Sequence, residues 1–298
     1  MKFIITGDLE KESRIIISNP SELELKLKKI KKESVEQLHI VADYDRTLTK
    51  AFVQGIRSNT TFGYIENHPL LPDIYRAETK RLYEHYHALE LSLTLEKKEK
   101  TRLMEEWAKT VLNLMIEYKM NKIVLNDIIE KKQIVMREGS NHFFNFINNY
   151  KIPTLIFSAG IGNLIEAYLQ TEQYLQKEES KTKNINIIAN RIIFNENDYM
   201  IGYKEPIISS MNKTEALIKT TDYGAEIRKR KNVILLGDLL SDAEMCNGFD
   251  HETIIKIGFL NGKVETLTPL FKQAYDVIIT NDGRMNYVNH LLYRITKK

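Results

Sequence analysis

Residues 38–47 read LHIVADYDRT. A short apolar run rich in β-formers stops abruptly at two acids, Asp43 and Asp45. That pattern is a buried parallel strand whose carboxyl end carries both carboxylates.

Upstream, Ser21 with Glu24 three residues later forms a capping box and opens a helix to about Glu33. Downstream the texture changes. From Pro72 to Glu138 the chain is almost all helix-formers, with no glycine and no further proline. Leu82, Tyr86 and Leu89 fall on one helical face, as do Leu103, Trp107, Thr110 and Leu114. From Gly139 strands and helices alternate again. HFFNFINNY (142–150) reads as a helix, PTLIFSAG (153–160) as a strand ending at Gly160, and IGNLIEAYLQ (161–170) as a helix. INIIANRIIF (185–194) is further strand material, and a helix begins over Lys213–Lys219. NVILLGD (232–238), IIKIGFL (254–260) and YDVIIT (275–280) are strands. The expected fold is therefore α/β: a Rossmann-like parallel sheet with helices on both faces, interrupted by a mainly helical cap. The core comprises residues 1–51 and 139–298, and the cap residues 52–138. Ligands bind such sheets at the carboxyl ends of the strands, where Asp43, Asp45, Ser158 and Asp238 are all expected.

Two carboxylates at i and i+2 after an apolar strand are costly unless they bind a cation or do chemistry. Such a pair can divide the work between nucleophile and general acid–base; it can also simply cap the next helix. Gly237-Asp238-Leu239-Leu240-Ser241-Asp242 repeats the theme, with acids four residues apart after VILLG. Hard oxygen donors from separate strands suit Mg²⁺, although Asp238 could equally be a helix N-cap. Ser158-Ala159-Gly160 can present a hydroxyl and backbone N–H groups to phosphate, or form an ordinary strand-to-helix turn. Lys213, near a helix start, read alone is a surface lysine.

Length and composition narrow the class. A chain of 298 residues can hold one sizeable core plus a smaller domain. The 43 basic and 40 acidic residues nearly cancel, which argues against a nucleic-acid binder, and the lysines at 26, 28, 29, 31 and 32 and the basic run 228–231 read as solvated surface. No window approaches the apolar length of a membrane span, and MKFIITGDLEKES lacks the pattern of a secretory leader. The single cysteine, Cys246, excludes an internal disulfide and makes a reducing, cytoplasmic setting the expectation.

Taken in order, the acid pair, the serine, the lysine and the second acid pair resemble the four motifs of the haloacid-dehalogenase superfamily. The chain is more closely similar to its pyrimidine 5′-nucleotidases of the cytosolic type III. That likeness extends to TFGYIENHPLLP (61–72) and YHALELSLTLEKKEKTRLMEEW (86–107) in the cap, and to IFSAGIGNLIE (156–166), NVILLGD and IIKIGFLN (254–261) in the core. It runs from about Ile17 to about Thr280.

The resemblance implies a phosphatase in which Asp43 attacks phosphorus and Asp45 protonates the leaving 5′-oxygen, then activates water. It implies Mg²⁺ held by Asp43, the Asp45 carbonyl and Asp238, with Asp242 in support. Ser158, Ala159, Gly160 and Lys213 would hold the phosphate. Glu90, Trp107 and Tyr86 would meet the base, Glu90 accepting from the amino group of cytosine, so that CMP and UMP are the expected substrates. The chain departs from the family pattern at Tyr44 (Phe), Leu239 (Ser) and Ala108, where the family often has a second aromatic; Tyr64 or Tyr86 could replace the lost stacking surface. The implied partner is a small nucleotide, not nucleic acid or membrane, and the implied state is a monomer. Rival readings are a related phosphatase acting on another monoester, such as 7-methyl-GMP, and an inactive binding homologue.

Overall fold

The computed structural model describes residues 4–5, 13–90, 92, 94–175 and 184–297. Most of the N-terminal stretch read above for a leader, and Leu91 and Leu93 of the cap stretch, lie outside them.

In chain order the elements are β1 (Ile4–Ile5), β2 (Ser13–Ile17), α1 (Pro20–Glu33) and β3 (Leu38–Ala42). A small hairpin follows, β4 (Phe52–Val53) with β5 (Ile56–Arg57), and then four helices: α2 (Thr61–Glu66), α3 (Asp73–Glu90), α4 (Lys97–Glu117) and α5 (Ile123–Glu130). The alternation resumes with α6 (Ser140–Asn149), β6 (Thr154–Ile161), α7 (Gly162–Thr171) and β7 (Ile185–Asn190). A second hairpin, β8 (Ile192–Phe194) with β9 (Met200–Tyr203), precedes α8 (Asp222–Ile227), β10 (Asn232–Gly237), β11 (Thr253–Leu260), α9 (Val264–Ala274), β12 (Val277–Thr280) and α10 (Asn286–Thr296).

The central sheet has the order β1-β2-β12-β11-β10-β3-β6-β7. The six strands from β12 to β7 are parallel. β2 closes the edge antiparallel to β12, and β1 pairs antiparallel with β2. Both faces of the sheet are covered, which is why its strands lack a polar face. Ile40, Ala42, Ile234 and Leu236 join the apolar layer under α1, α6, α7 and α10. Val41, Val233 and Leu235 point into the layer under α8 and α9. β3 lies between β10 and β6, where the chain reverses its direction of travel across the sheet, and ligand sites form at the carboxyl ends of such strands.

The chain leaves the core after β3 and returns beside its point of exit. Thr49 bridges Met136, the Lys50 N–H donates to Val135 O (2.8 Å) and the Arg137 N–H to Leu48 O (2.9 Å). Between these points stand α2 to α5. Their apolar residues Ile65, Val124 and Ile128 share one buried layer with Ile161, Leu164 and Ile165 of the core.

Three local expectations shift. α1 is capped by Asn19, whose Oδ1 accepts from the Glu22 N–H (3.2 Å), not by Ser21; Pro20 fits the first helical position and starts the helix earlier. On α4 the buried stripe is Met104, Val111, Leu112 and Met115, while Trp107 and Leu114 are only partly covered. The stretch after Lys213 forms a 3₁₀ turn (Glu215–Ile218), and a helix starts only at Asp222. There the N–H groups of Glu215 and Ala216 are drawn off to Met245 O and Asn247 O.

No helix among the described residues is long and apolar enough to cross a membrane. Several of the clustered basic residues are paired with acids: Lys26 with Asp276, and Lys29 and Lys231 both with Glu252.

Candidate active site

The carboxyl ends of β3 and β10 bring three acids together. Ligating oxygens of Asp43, Asp238 and Asp242 all lie within 4.8 Å of one another. Asp43 follows β3 directly, and its N–H continues the ladder to Leu236 O (2.9 Å). Asp238 follows β10. Asp242 folds back, its Oδ2 accepting from the N–H groups of Asp238 (3.0 Å) and Leu239 (2.9 Å). That return requires Gly237, because a Cβ there would lie 2.3 Å from the Asp242 Cβ.

Lys213 enters from the segment before the 3₁₀ turn. Its Nζ donates to Asp43 Oδ1 at 2.7 Å and lies 2.7 Å from Asp242 Oδ1, with only 3% of the side chain exposed. Burial opposes its charge, but Asp242 and Asp43 outweigh burial and hold it firmly protonated.

One ammonium does not balance the carboxylates. Burial, aided by Asp242 and Asp45 against the pull of Lys213, pushes Asp43 up to about 7. Burial and the neighbouring Asp43 and Asp242 push Asp238 well above the usual carboxylate range. Such a surplus of buried negative charge, made of hard oxygens, fits a small dication.

Asp45 is held differently. It accepts from the Thr61 N–H (3.0 Å to Oδ1) and from Thr61 Oγ1 (2.9 Å to Oδ2). Burial raises its pKa against the lowering effect of these bonds. Thr61 Oγ1 in turn accepts from the Ile161 N–H (3.0 Å). One hydroxyl thus ties Asp45, the start of α2 and the end of β6. The close approach needs Gly160, where a Cβ would meet Thr61 Oγ1 at 2.0 Å and Asp45 Oδ2 at 2.8 Å. Ser158 is buried beside it, and its Oγ accepts from the Gly160 N–H (3.0 Å). Ala159 O accepts from Asn190 Nδ2 (2.7 Å). All the expected core residues therefore gather on one sheet edge.

Three contributors escaped the motif reading. Thr61 was visible only as the first residue of the cap stretch TFGYIENHPLLP. Arg46 adopts positive φ (65°), and its guanidinium donates to Ser58 O (3.1 Å). Arg137, fully buried, donates to Thr47 O (2.7 Å), Asp282 Oδ1 (2.8 Å), Gly283 O (2.8 Å), Asn261 Oδ1 (2.8 Å) and Arg46 O. It also lies over the Phe259 ring, 4.2 Å from its centroid. It fixes the loop behind Asp45 to the ends of β11 and β12.

The helical layer meets this edge through the segment that carries Lys213. Ser210 Oγ donates to Glu90 Oε1 (2.6 Å), and His87 Nδ1 lies 3.2 Å from Glu90 Oε2. Burial would raise the Glu90 pKa, but these two bonds keep it below the ordinary value and the group ionised. Asn212 Nδ2 donates to Glu105 Oε1 (2.9 Å), and Lys97 pairs with Glu244. Trp107 stacks on Tyr86 (5.8 Å, 7°), and its buried indole N–H has no partner. Tyr86 is buried and donates its hydroxyl to Glu106 Oε1 (2.8 Å); Tyr64 donates its own to Gln133 O (2.8 Å).

The sequence profile of the family described as Pyrimidine 5′-nucleotidase (UMPH-1) matches residues 46–296. The 7-methylguanosine phosphate-specific 5′-nucleotidase A of Xenopus laevis is 34% identical over 281 residues, covering 94% of this chain and 95% of that protein. Among solved structures, cytosolic 5′-nucleotidase IIIB bound to cytidine superimposes with a TM-score of 0.85 at 27% identity, covering 94% and 93% of the two chains. A phosphoserine phosphatase shares the fold alone, with a TM-score of 0.53 at 16% identity over 87% of this chain and 98% of that one.

Proposed function

We propose, from the premise that this chain belongs to the pyrimidine 5′-nucleotidase family and has the haloacid-dehalogenase fold, that it hydrolyses nucleoside 5′-monophosphates through an aspartyl-phosphate with Mg²⁺ as cofactor. The observation that carries this reading is the close set of Asp43, Asp238 and Asp242, with the buried Lys213 ammonium paired to Asp43 and Asp242.

Asp43, hydrogen-bonded to Lys213, is the nucleophile. Its carboxylate oxygen attacks phosphorus as the bond to the 5′-oxygen breaks. Asp45 donates its proton to that leaving oxygen. Its raised pKa suits a carboxyl that must begin protonated, and Thr61 fixes its direction. The ionised Asp45 then takes a proton from water as the water attacks the phosphoryl group, releasing phosphate and restoring Asp43. Lys213 compensates charge on the nucleophile and the phosphoryl oxygens. Ser158 and the N–H groups at Ala159 and Gly160 hold those oxygens once Ser158 releases the Gly160 N–H, which it accepts in the free protein. Asp43, the Asp45 carbonyl and Asp238 would hold the magnesium, with Asp242 orienting the loop; the ion supplies further charge compensation.

Residues 52–138 act as the cap over a core of 1–51 and 139–298. Glu90, ionised and held by Ser210, is the base-reading acceptor, and Trp107, backed by Tyr86, supplies the stacking surface. A carboxylate acceptor favours an exocyclic amino group, which puts CMP ahead of UMP. It serves the amino group of a guanine equally, and the Xenopus relative is named for 7-methylguanosine phosphate; 7-methyl-GMP is therefore the second reading.

Phosphate release from CMP, UMP, 7-methyl-GMP, AMP and GMP, each with Mg²⁺ and with EDTA, tests the proposal. Magnesium-dependent release led by CMP or 7-methyl-GMP is expected. Release that persists in EDTA overturns the metal assignment, and release led by UMP, whose base has no exocyclic amino group, overturns the role of Glu90.

A further inference from the structure

Away from the catalytic carboxylates, the described residues bring together one other set of metal-competent side chains. His39 of β3, Glu215 of the 3₁₀ turn and His251 ahead of β11 place a donor atom each within 4.8 Å of one another. His39 Nε2 lies 2.9 Å from Glu215 Oε1, and His251 Nε2 lies 2.6 Å from Glu215 Oε2. The imidazole centroids are 5.0 Å apart, and all three side chains are buried to within 1% of complete. His39 lies four residues before Asp43, about 13 Å along the strand, so this cluster is separate from the phosphate site.

We propose that His39, Glu215 and His251 form a zinc site that fastens the Lys213 segment to the sheet. Two imidazole nitrogens and a carboxylate oxygen are the donor types that Zn²⁺ takes. Nitrogen-rich donors disfavour Mg²⁺, which demands oxygen and water.

Both Nε2 atoms face Glu215, and neither Nδ1 has a hydrogen-bond partner among the described residues. Glu215 is two residues beyond Lys213, so a bound ion holds that lysine's segment in place without touching the phosphoryl chemistry.

The test uses the full chain, stripped with a chelator and dialysed against Zn²⁺ in excess Mg²⁺, which occupies the catalytic carboxylates. Zinc retained per chain is measured by mass spectrometry of the metal, and Co²⁺ is loaded separately for its visible spectrum. The expected result is one zinc per chain and Co²⁺ bands of four-coordinate intensity in the wild type and in Asp238→Asn. His39→Gln and His251→Gln should fall below about a tenth of an equivalent while keeping their fold and Mg²⁺-dependent phosphate release. Less than about a tenth of an equivalent in the wild type, or zinc unchanged in both histidine variants, overturns the site. Should the variants not fold, the wild-type Co²⁺ spectrum decides alone: octahedral-type weak bands or none overturn it.

Discussion

Lys213 Nζ bonds Asp43 Oδ1 at 2.7 Å, so the proposed nucleophile is buried against the one ammonium that holds it in place. The two partners should respond differently to replacement. Asp43→Asn removes the attacking oxygen and one buried negative charge. Phosphate release should drop by roughly 10⁴-fold or more, with melting temperature equal to or above the wild type. Lys213→Met strands Asp43 and Asp242 without their cation and should cost about 3 kcal/mol of stability as well as turnover. Denaturant melts and phosphate assays on the two variants separate these roles; substantial turnover in Asp43→Asn removes the mechanism.

Glu90 should sort substrates rather than run chemistry. It is bonded to Ser210, three residues before Lys213, but touches none of the catalytic carboxylates. Glu90→Gln is expected to lower kcat/KM for CMP by about 10- to 100-fold, the scale of one charge-assisted hydrogen bond. Release from p-nitrophenyl phosphate, which has no base, should change by less than about threefold. Equal losses on both substrates would assign Glu90 to the architecture of the cap instead.

The reach of the sequence was uneven for physical reasons. Asp43, Asp45, Asp238 and Asp242 stood out because an acid at the end of a buried apolar strand is conspicuous whatever the fold. Lys213 did not, because one lysine near a helix start has no local mark; only its place in the motif order singled it out. Thr61, Arg46 and Arg137 were missed because their roles depend on partners distant in sequence: Arg137 bonds carbonyls some 90 residues upstream and an Asp282 side chain 145 residues downstream. The helical face on α4 was misplaced by one residue because period alone cannot tell a stripe facing the core from one facing a cleft. The edge strand β2 was not read at all, because Ser13–Ile17 offers only three isoleucines after a serine and an arginine.

Arg137 should behave as a positioning residue. Its guanidinium reaches five oxygen acceptors and the Phe259 ring, which an ammonium cannot reproduce. Arg137→Lys keeps the charge but takes the guanidinium donor from the Thr47 carbonyl and leaves the Arg46 carbonyl to Asn261 Nδ2, loosening the loop that follows Asp45. About a 10- to 100-fold fall in kcat on p-nitrophenyl phosphate is expected, with KM changed less than about threefold. Wild-type kcat in that variant would show that the loop holds its shape without the fork.

Glu66 gives a pH signature independent of the active-site acids. It is 8% exposed on α2, and burial alone pushes its pKa up from 4.5 to about 7. The folded protein therefore holds this proton more tightly than the unfolded chain. The stability that the neutral group allows is intact below about pH 4.5 and is lost as pH rises to about 7, beyond which the loss is complete. Glu66→Gln cannot ionise and should escape that loss. The two proteins should melt together near pH 4.5, and the variant should gain a margin that grows to roughly 3 kcal/mol by pH 8. Urea melts across that range decide the matter: a margin that stays constant with pH means Glu66 ionises as freely in the fold as in water.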